Sequence, residues 1–486
     1  MATIKGNIIL NGINTLTGII FPVITFPYAA RVLLPDGIGA VNFLNSIISY
    51  IVLLTSLGIP MYAVKEISKY RDNSEVRDKV TIEIIVLSTI LCLCGYIVVW
   101  ILATFVPQIN QQSALFYILS LTIIFNAIGV NWFYQAVEDF KFITIRAIIV
   151  RSLSAVALFL FVKSSSDILI YGLIIVGSTV GNNILNFVHL RKYINTDYLK
   201  IRELKITRHL KPAFEVFILN LIISLYIQLN SIMLGFMSGD EQVGYFAAGT
   251  KISHIGLTVI ASIGTVMLPR CSYLLKNGNI EGFKSAIGKS LNLTLGLSFP
   301  MTVGLIILAT PITIVFCGNE YISSIPVLIL NAPIIIFVSL TNLMGIQILY
   351  PMDKIKIVIL SVAGGAILNL IFNIILIPDY GALGAAISTL IAEFAVLILQ
   401  IFYGRNYFPF KMKSILNWKY LVATIVMTLF IIFAIIPIEN QILILCVGII
   451  GGAGVYMATL VKLKDSLTLD IILTIKHKLG YGVARI

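Results

Sequence analysis

The chain has 486 residues, 58% of them hydrophobic and only 12% charged, where a soluble domain carries about 25% charged residues. That composition excludes a soluble globular protein and implies an integral membrane protein. Apolar runs of about 20 residues exclude a barrel, whose strands are about half as long and alternate, and the net charge of +12 has to be explained by where the basic residues fall.

In chain order, charged or turn-rich breaks separate fourteen predicted helical spans: 7–30, 39–64, 80–105, 113–136, 143–162, 167–190, 213–237, 243–269, 286–310, 325–349, 356–377, 381–403, 418–437 and 440–461. The fold class is all-α, with two six-helix lobes and two C-terminal helices. The first span is long and contains Pro22 and Pro27, so it reads as an uncleaved span rather than a signal peptide. It carries Asn7, Asn11, Asn14, Gly18 and Thr25. Each proline removes a backbone donor and kinks a helix; the pair marks either a gate or an ordinary structural bend.

A tight connection follows, Arg31-Val-Leu-Leu-Pro35-Asp36-Gly37-Ile-Gly39, with turn chemistry in its proline and glycines. Arg31 stands at the edge of apolar sequence, where a charge must reach water or have a task. It either ends the helix or meets a ligand. Span two then carries Asn42, Asn45, Ser46, Ser49 and Ser56.

Cys92 and Cys94 are two apart and point to different helix faces. With Cys271, Cys317 and Cys446 they read as small buried hydrophobes, and no disulfide, metal site or cofactor is expected. Glu83 and Glu215 lie near span ends, within reach of the interface, and Glu138 with Asp139 balances Lys141 and Arg146 in a loop. The longest basic loop, about 191–212, divides the chain into a lobe at 1–192, a linker at 193–211, a lobe at 212–404 and a tail with two further spans at 405–486.

Span seven carries Asn220, Ser224, Gln228 and Ser231, and span eight Lys251, His254, Thr258, Ser262 and Thr265. Spacings of three, four and seven put each set on one helix face. Such stripes either glue helices together in lipid or line a shared polar cavity. Lys251 either snorkels to the interface or offers a cation to an anion in a hydrated cavity, with His254 one turn further in. Glu393 is central in span twelve, where a carboxylate is a functional candidate by default; it pairs with a base, stays protonated or couples an ion. Gly448 and Gly452 form a GxxxG in span fourteen.

With fourteen spans the termini share a side. Thirty-one of the 34 Lys and Arg then lie on that side, two (Arg31 and Lys163) on the other, and Lys251 within a span. This is the positive-inside pattern, so both termini are expected in the cytoplasm and nucleic acid need not be invoked. Ile38-Gly39 and Val243-Gly244 open the second span of each half, and Tyr171-Gly172 and Tyr380-Gly381 the sixth. Repeats offset by six spans share an orientation and are related about the membrane normal. No HExxH, P-loop or nucleophile constellation appears, and the four histidines are scattered.

Three stretches resemble the Wzx-type polysaccharide flippases of the multidrug/oligosaccharidyl-lipid/polysaccharide exporter superfamily. The first is Phe26-Pro-Tyr-Ala-Ala-Arg31-Val-Leu33 with Pro35-Asp-Gly-Ile-Gly39 and Val41-Asn-Phe43. The second is Ser56-Leu-Gly-Ile-Pro60 with Lys65-Glu-Ile67 and Arg71-Asp72. The third is Asn131-Trp-Phe-Tyr-Gln135 with Glu138 and Phe140-Lys-Phe-Ile-Thr-Ile-Arg146. Two departures stand out: Leu34 replaces a usual Gly, and Asn131 replaces the Asp common before Trp.

The resemblance implies a V-shaped pair of six-helix lobes around a central cavity. It implies translocation of an undecaprenyl-diphosphate-linked oligosaccharide to the outer leaflet of the bacterial cell membrane. In related lipid II flippases cations on spans one, two and eight serve the diphosphate, which by analogy selects Arg31 and Lys251. Expected partners are the lipid-linked oligosaccharide, membrane lipids and glycan-assembly proteins such as a polymerase. A drug or cation antiporter of the same superfamily would want acidic cavity residues. A membrane glycan polymerase or ligase would want a sizeable outer loop.

Overall fold

The computed structural model describes residues 4–195, 204–410 and 417–470, and within these not the side chains at 4, 5, 7–9, 11, 19, 218–227 and 265. The described residues form helices and no strand. Chain contacts divide into two compact units, Met1–Gly244 and Tyr245–Ile486.

The first unit holds α1 (Ile4–Ser56), α2 (Ile59–Ser68), α3 (Ser74–Phe105), α4 (Pro107–Asn110), α5 (Ser113–Ala127), α6 (Asn131–Ala136), α7 (Phe140–Phe161), α8 (Ile168–Leu190), α9 (Leu210–Met237) and the start of α10 (Asp240–Lys276). The second holds the rest of α10, then α11 (Ile280–Ile307), α12 (Ala309–Cys317), α13 (Ile325–Asn331), α14 (Ile334–Asn342), α15 (Ile355–Gly404), α16 (Trp418–Ile435), α17 (Gln441–Cys446) and α18 (Gly452–Lys462). Ten described helices are long and apolar enough to cross a membrane, or eleven if the pair Asn319–Asn331 and Ile334–Leu349, bent by 43°, is one span.

Local chemistry sets the helix starts. Asn73 Oδ1 accepts from Val76 N at 3.2 Å, Asp139 Oδ1 from Phe142 N at 3.1 Å, Asn279 Oδ1 from Gly282 N at 2.8 Å and Asn440 Oδ1 from Ile442 N at 2.9 Å. Each satisfies a donor that the first helical turn leaves unpaired.

Two helices run through positions expected to be turns. α1 has 53 residues and leaves helical geometry at Leu34 (φ 63°, ψ 174°). α15 has 50 and does so at Gly381 (φ 53°, ψ −128°). Each is therefore two helices joined at that residue, and at ~1.5 Å per residue the four segments, 4–33, 35–56, 355–380 and 382–404, are roughly 33–45 Å long, each enough for a ~30 Å hydrocarbon core. Pro35 restricts the backbone of the residue before it, and Leu34 takes up the change of direction. Pro22 and Pro27 lie inside α1, and the break is at Leu34.

Just beyond that break α1 meets α10 backbone to backbone. A Cβ on Gly39 would fall on the carbonyl oxygen of Asp240, and one on Gly244 on that of Pro35. The glycines that open the second span of each half are therefore neighbours, and their lack of a side chain permits the contact. α1 also packs on α5, α7 and α9, while α2, α3 and α6 enclose an apolar cluster around Ile67, Ile84 and Phe133.

Candidate functional site

The polar stripe of α1 divides between two tasks. On its first part, Asn14 Oδ1 accepts from Arg151 Nη1 of α7 at 3.2 Å, and Thr17 Oγ1 from the same nitrogen at 2.7 Å. These groups fasten helices to each other. On the later part, Asn42 Nδ2 donates to the carbonyl of Ile38 at 2.7 Å and Ser49 Oγ to that of Asn45 at 2.7 Å. Ser46 Oγ donates to Gln228 Oε1 of α9 at 3.1 Å. The structure thus joins Ser46 and Gln228, 182 residues apart in the chain. Side chains of Asn7, Asn11, Asn220, Ser224 and Thr265 lie outside the described residues.

Arg31 on α1 is exposed, as are Lys251 and His254 on α10; Glu393 on α15 is half-buried. Thr258 Oγ1 donates to the carbonyl of His254 at 2.8 Å and Ser262 Oγ to that of Val259 at 2.6 Å. The second unit also contains a cavity of about 640 Å³ bounded by α10, α11, α12, α16 and α18, with Val259, Leu297, Met301, Phe316 and Met457 in its walls. Gly448 and Gly452 provide close packing beside it, against Leu308 and Ile431. Among the described residues no group of His, Cys, Asp or Glu is arranged to hold a metal, and Cys92, Cys94, Cys271, Cys317 and Cys446 are free thiols.

Several charged residues are placed differently from the sequence expectation. Glu83 does not reach outward as an interfacial carboxylate would; its side chain is fully buried in the protein. Its carboxylate pairs with the guanidinium of Arg208, contacts His209 Nε2 at 2.8 Å and accepts from Lys205 N at 2.8 Å. His209 Nδ1 lies 2.6 Å from Tyr62 Oη. Burial pushes the His209 imidazole below its ordinary value, against the opposing pull of Glu83. The other end of the linker is held too, with Asn195 N donating to Asp78 Oδ2 at 3.0 Å. Both described ends of the basic linker are therefore tied to α3.

Glu138 pairs with Arg71 at 3.0 Å, and Asp139 accepts from Tyr193 Oη at 2.9 Å besides capping α7. Arg146 is not a loop charge. It lies within α7, is 7% exposed, and donates to Asn182 Oδ1 at 3.1 Å and Asn131 Oδ1 at 3.2 Å. Two arginines inside one apolar helix, Arg151 at its middle, were the available signal.

The family model described as "Polysaccharide biosynthesis protein" matches residues 4–275. A protein of Escherichia coli (strain K12) named "Putative O-antigen transporter" is 26% identical over 411 residues, 83% of this chain and 97% of that protein. "Capsular polysaccharide biosynthesis protein CapF" of Staphylococcus aureus is 24% identical over 391 residues, 77% of this chain and 92% of that one. Among solved structures, the lipid II flippase MurJ in an inward closed conformation superposes with a TM-score of 0.78 at 20% identity, over 94% of this chain and 99% of that one. An inward-facing multidrug resistance MATE family transporter of the MOP superfamily gives 0.63 at 16% identity, over 82% and 97%. At these identities the structural likeness establishes the fold.

Proposed function

Because the chain belongs to the polysaccharide biosynthesis protein family, we propose that it is a flippase, not an enzyme, that carries an undecaprenyl-diphosphate-linked oligosaccharide from the cytoplasmic to the outer leaflet by alternating access. The one observation that carries this reading is the exposure of Lys251 and His254, a turn apart on a helix of membrane-crossing length. A cation there is costly without a task, and a diphosphate supplies one. The diphosphate cannot cross ~30 Å of hydrocarbon unaided; cationic side chains in a hydrated path replace its lost solvation. The cavity of about 640 Å³ in the second unit, with its apolar walls, suits the polyprenyl chain.

In this reading Arg31, Lys251 and His254 meet the diphosphate, and Asn42, Asn45, Ser46, Ser49, Asn220 and Gln228 line the polar path. Glu393 is the candidate for ion coupling, and Pro22 and Pro27 for the gate. The spans number fourteen, counting α1 and α15 as two each, the bent pair as one and α9 as one, so both termini face the cytoplasm. The lobes are 1–192 and 212–404, joined by 193–211 and followed by 405–486. A glycan polymerase is the natural partner downstream.

Deleting the gene in its host is expected to trap a lipid-linked glycan on the cytoplasmic leaflet, identified by mass spectrometry. Lys251→Ala is expected to lower export about tenfold or more, the equivalent of ~1.4 kcal/mol, with normal membrane insertion. Wild-type export by that variant refutes the role of Lys251. Absence of any trapped lipid-linked glycan in the deletion refutes the flippase.

A further inference from the structure

The first unit contains a second cavity, of about 220 Å³, bounded by the end of α1, the start of α2, the end of α5, α6 and interior positions of α3 and α8. Its lining includes Asn126, Asn131, Gln135, Asn183, Ser88 and Trp132. Among the described residues, the side-chain amides of Asn126, Gln135 and Asn183 make no hydrogen bond. Asn131 is oriented from behind: its Oδ1 accepts from Arg146 at 3.2 Å, which leaves its Nδ2 to donate elsewhere. Arg146 is itself buried, with Nη1 unpartnered.

We propose that this cavity is a monosaccharide subsite that takes one sugar ring of the lipid-linked glycan. The assignment rests on the flippase reading for why a sugar arrives there. Size comes first. Drug-sized ligands occupy roughly 300–1,000 Å³, and about 220 Å³ suits a single pyranose. Chemistry comes second. Each amide offers both donors and an acceptor, the complement of a ring edged with hydroxyls that do both. The indole supplies an apolar face with negative charge density, the complement of a pyranose C–H face. Apart from the recessed guanidinium of Arg146 the donor set is neutral, which suits hydroxyls better than an inorganic anion. Position comes third. Asn126 and Gln135 are exposed while Trp132 and Asn183 are buried, so the cavity has a mouth and a floor. It lies at the end of α1 followed by Lys65, Lys69 and Arg71, the basic side from which a newly made glycan would load.

The test uses the full-length protein in lipid nanodiscs, since a maltoside detergent would itself offer a sugar. Methyl glycosides of glucose, galactose, mannose and N-acetylglucosamine are followed by saturation-transfer NMR, and undecaprenyl diphosphate binding is measured on the same samples. Asn126→Ala with Gln135→Ala removes two exposed amides from the mouth. Gly129→Ala fills the floor, because its Cβ would lie 2.6 Å from the Asn183 amide. At least one glycoside is expected to bind the wild type, and both variants to bind it about tenfold more weakly while keeping undecaprenyl diphosphate. No glycoside binding by the wild type, or equal binding by the double variant, overturns the subsite whatever the lipid does. Variant-sensitive glycoside binding without any undecaprenyl diphosphate binding supports the subsite and overturns the flippase reading instead.

Discussion

Leu34→Gly is expected to stabilise the protein. Leu34 holds φ 63° and ψ 174°, a region that is essentially glycine's alone and costs other residues ~1–3 kcal/mol. Two losses oppose the relief. Glycine has more backbone freedom to surrender, worth ~0.5–1 kcal/mol. The leucine side chain also gives up its contacts, which are partial because it is 38% exposed. The difference between these two ranges is about 0–2.5 kcal/mol in favour of glycine. Leu34→Ala is the control, because alanine keeps the Cβ and so the strain, and loses the same contacts. Apparent melting temperatures, followed by size-exclusion chromatography of heated, solubilised protein, read the difference. One kcal/mol corresponds to roughly 2–4 °C for a unit of 150–250 residues. A glycine variant that melts at or below the alanine variant refutes the strain at Leu34.

Gly39→Ala is expected to destabilise by about 1–3 kcal/mol or more, because its Cβ meets the Asp240 carbonyl rather than a yielding side chain. Gly288→Ala, with nothing within 4 Å of the added carbon, is expected to be neutral or slightly stabilising in the same melting assay. The linker clasp is expected to weaken in acid. His209, faced by Glu83, Tyr62, Arg208 and Glu66, has its imidazole lowered from 6.5 by burial, so below that value the native protein binds fewer protons than the unfolded chain. The stability it contributes is present above pH 6.5 and is lost as pH falls through the native value. Wild type is expected to lose melting temperature more steeply than His209→Gln between about pH 7.5 and 5.5; parallel slopes refute the assignment.

Several helix starts were legible, while α3 and α11 begin at Ser74 and Ile280, six residues before the predicted 80 and 286, because Asn73 and Asn279 cap them ahead of the apolar run. Ser113, Phe140, Ile168, Trp418 and Gln441 begin helices within three residues of the predicted starts. Pro35 with Gly37 and Gly39 marked the break in α1, although the chain turns at one residue rather than through a loop. What periodicity cannot show is the partner of a polar group across the chain. Asn14 and Ser46 belong to two predicted stripes of the same kind, on spans one and two. One binds Arg151, 137 residues away, and the other Gln228, 182 away. Glu83 looked like an interfacial carboxylate because its ligands Arg208 and His209 come 125 and 126 residues later. In each case the helical face is set by spacing, and its use is set by packing.

The departure at Asn131 gains meaning from its neighbour. An aspartate there, as in the Wzx-type pattern, would place a carboxylate against Arg146, now 3.2 Å from the Asn131 amide oxygen. That would be a buried ion pair, with both charges spent on each other. Asparagine accepts the same hydrogen bond but leaves the guanidinium charge to be shared with Asn182 and the Phe142 ring, 5.4 Å from the guanidinium carbon. It also keeps an NH2 that a carboxylate lacks. Exchanging Asp for Asn at this position therefore removes a titratable group and gives the cavity wall a fixed donor, because Arg146 dictates which way the amide points. A proton-coupling role at this residue needs the titratable carboxylate, whereas a sugar hydroxyl that accepts a hydrogen bond is served by the amide NH2.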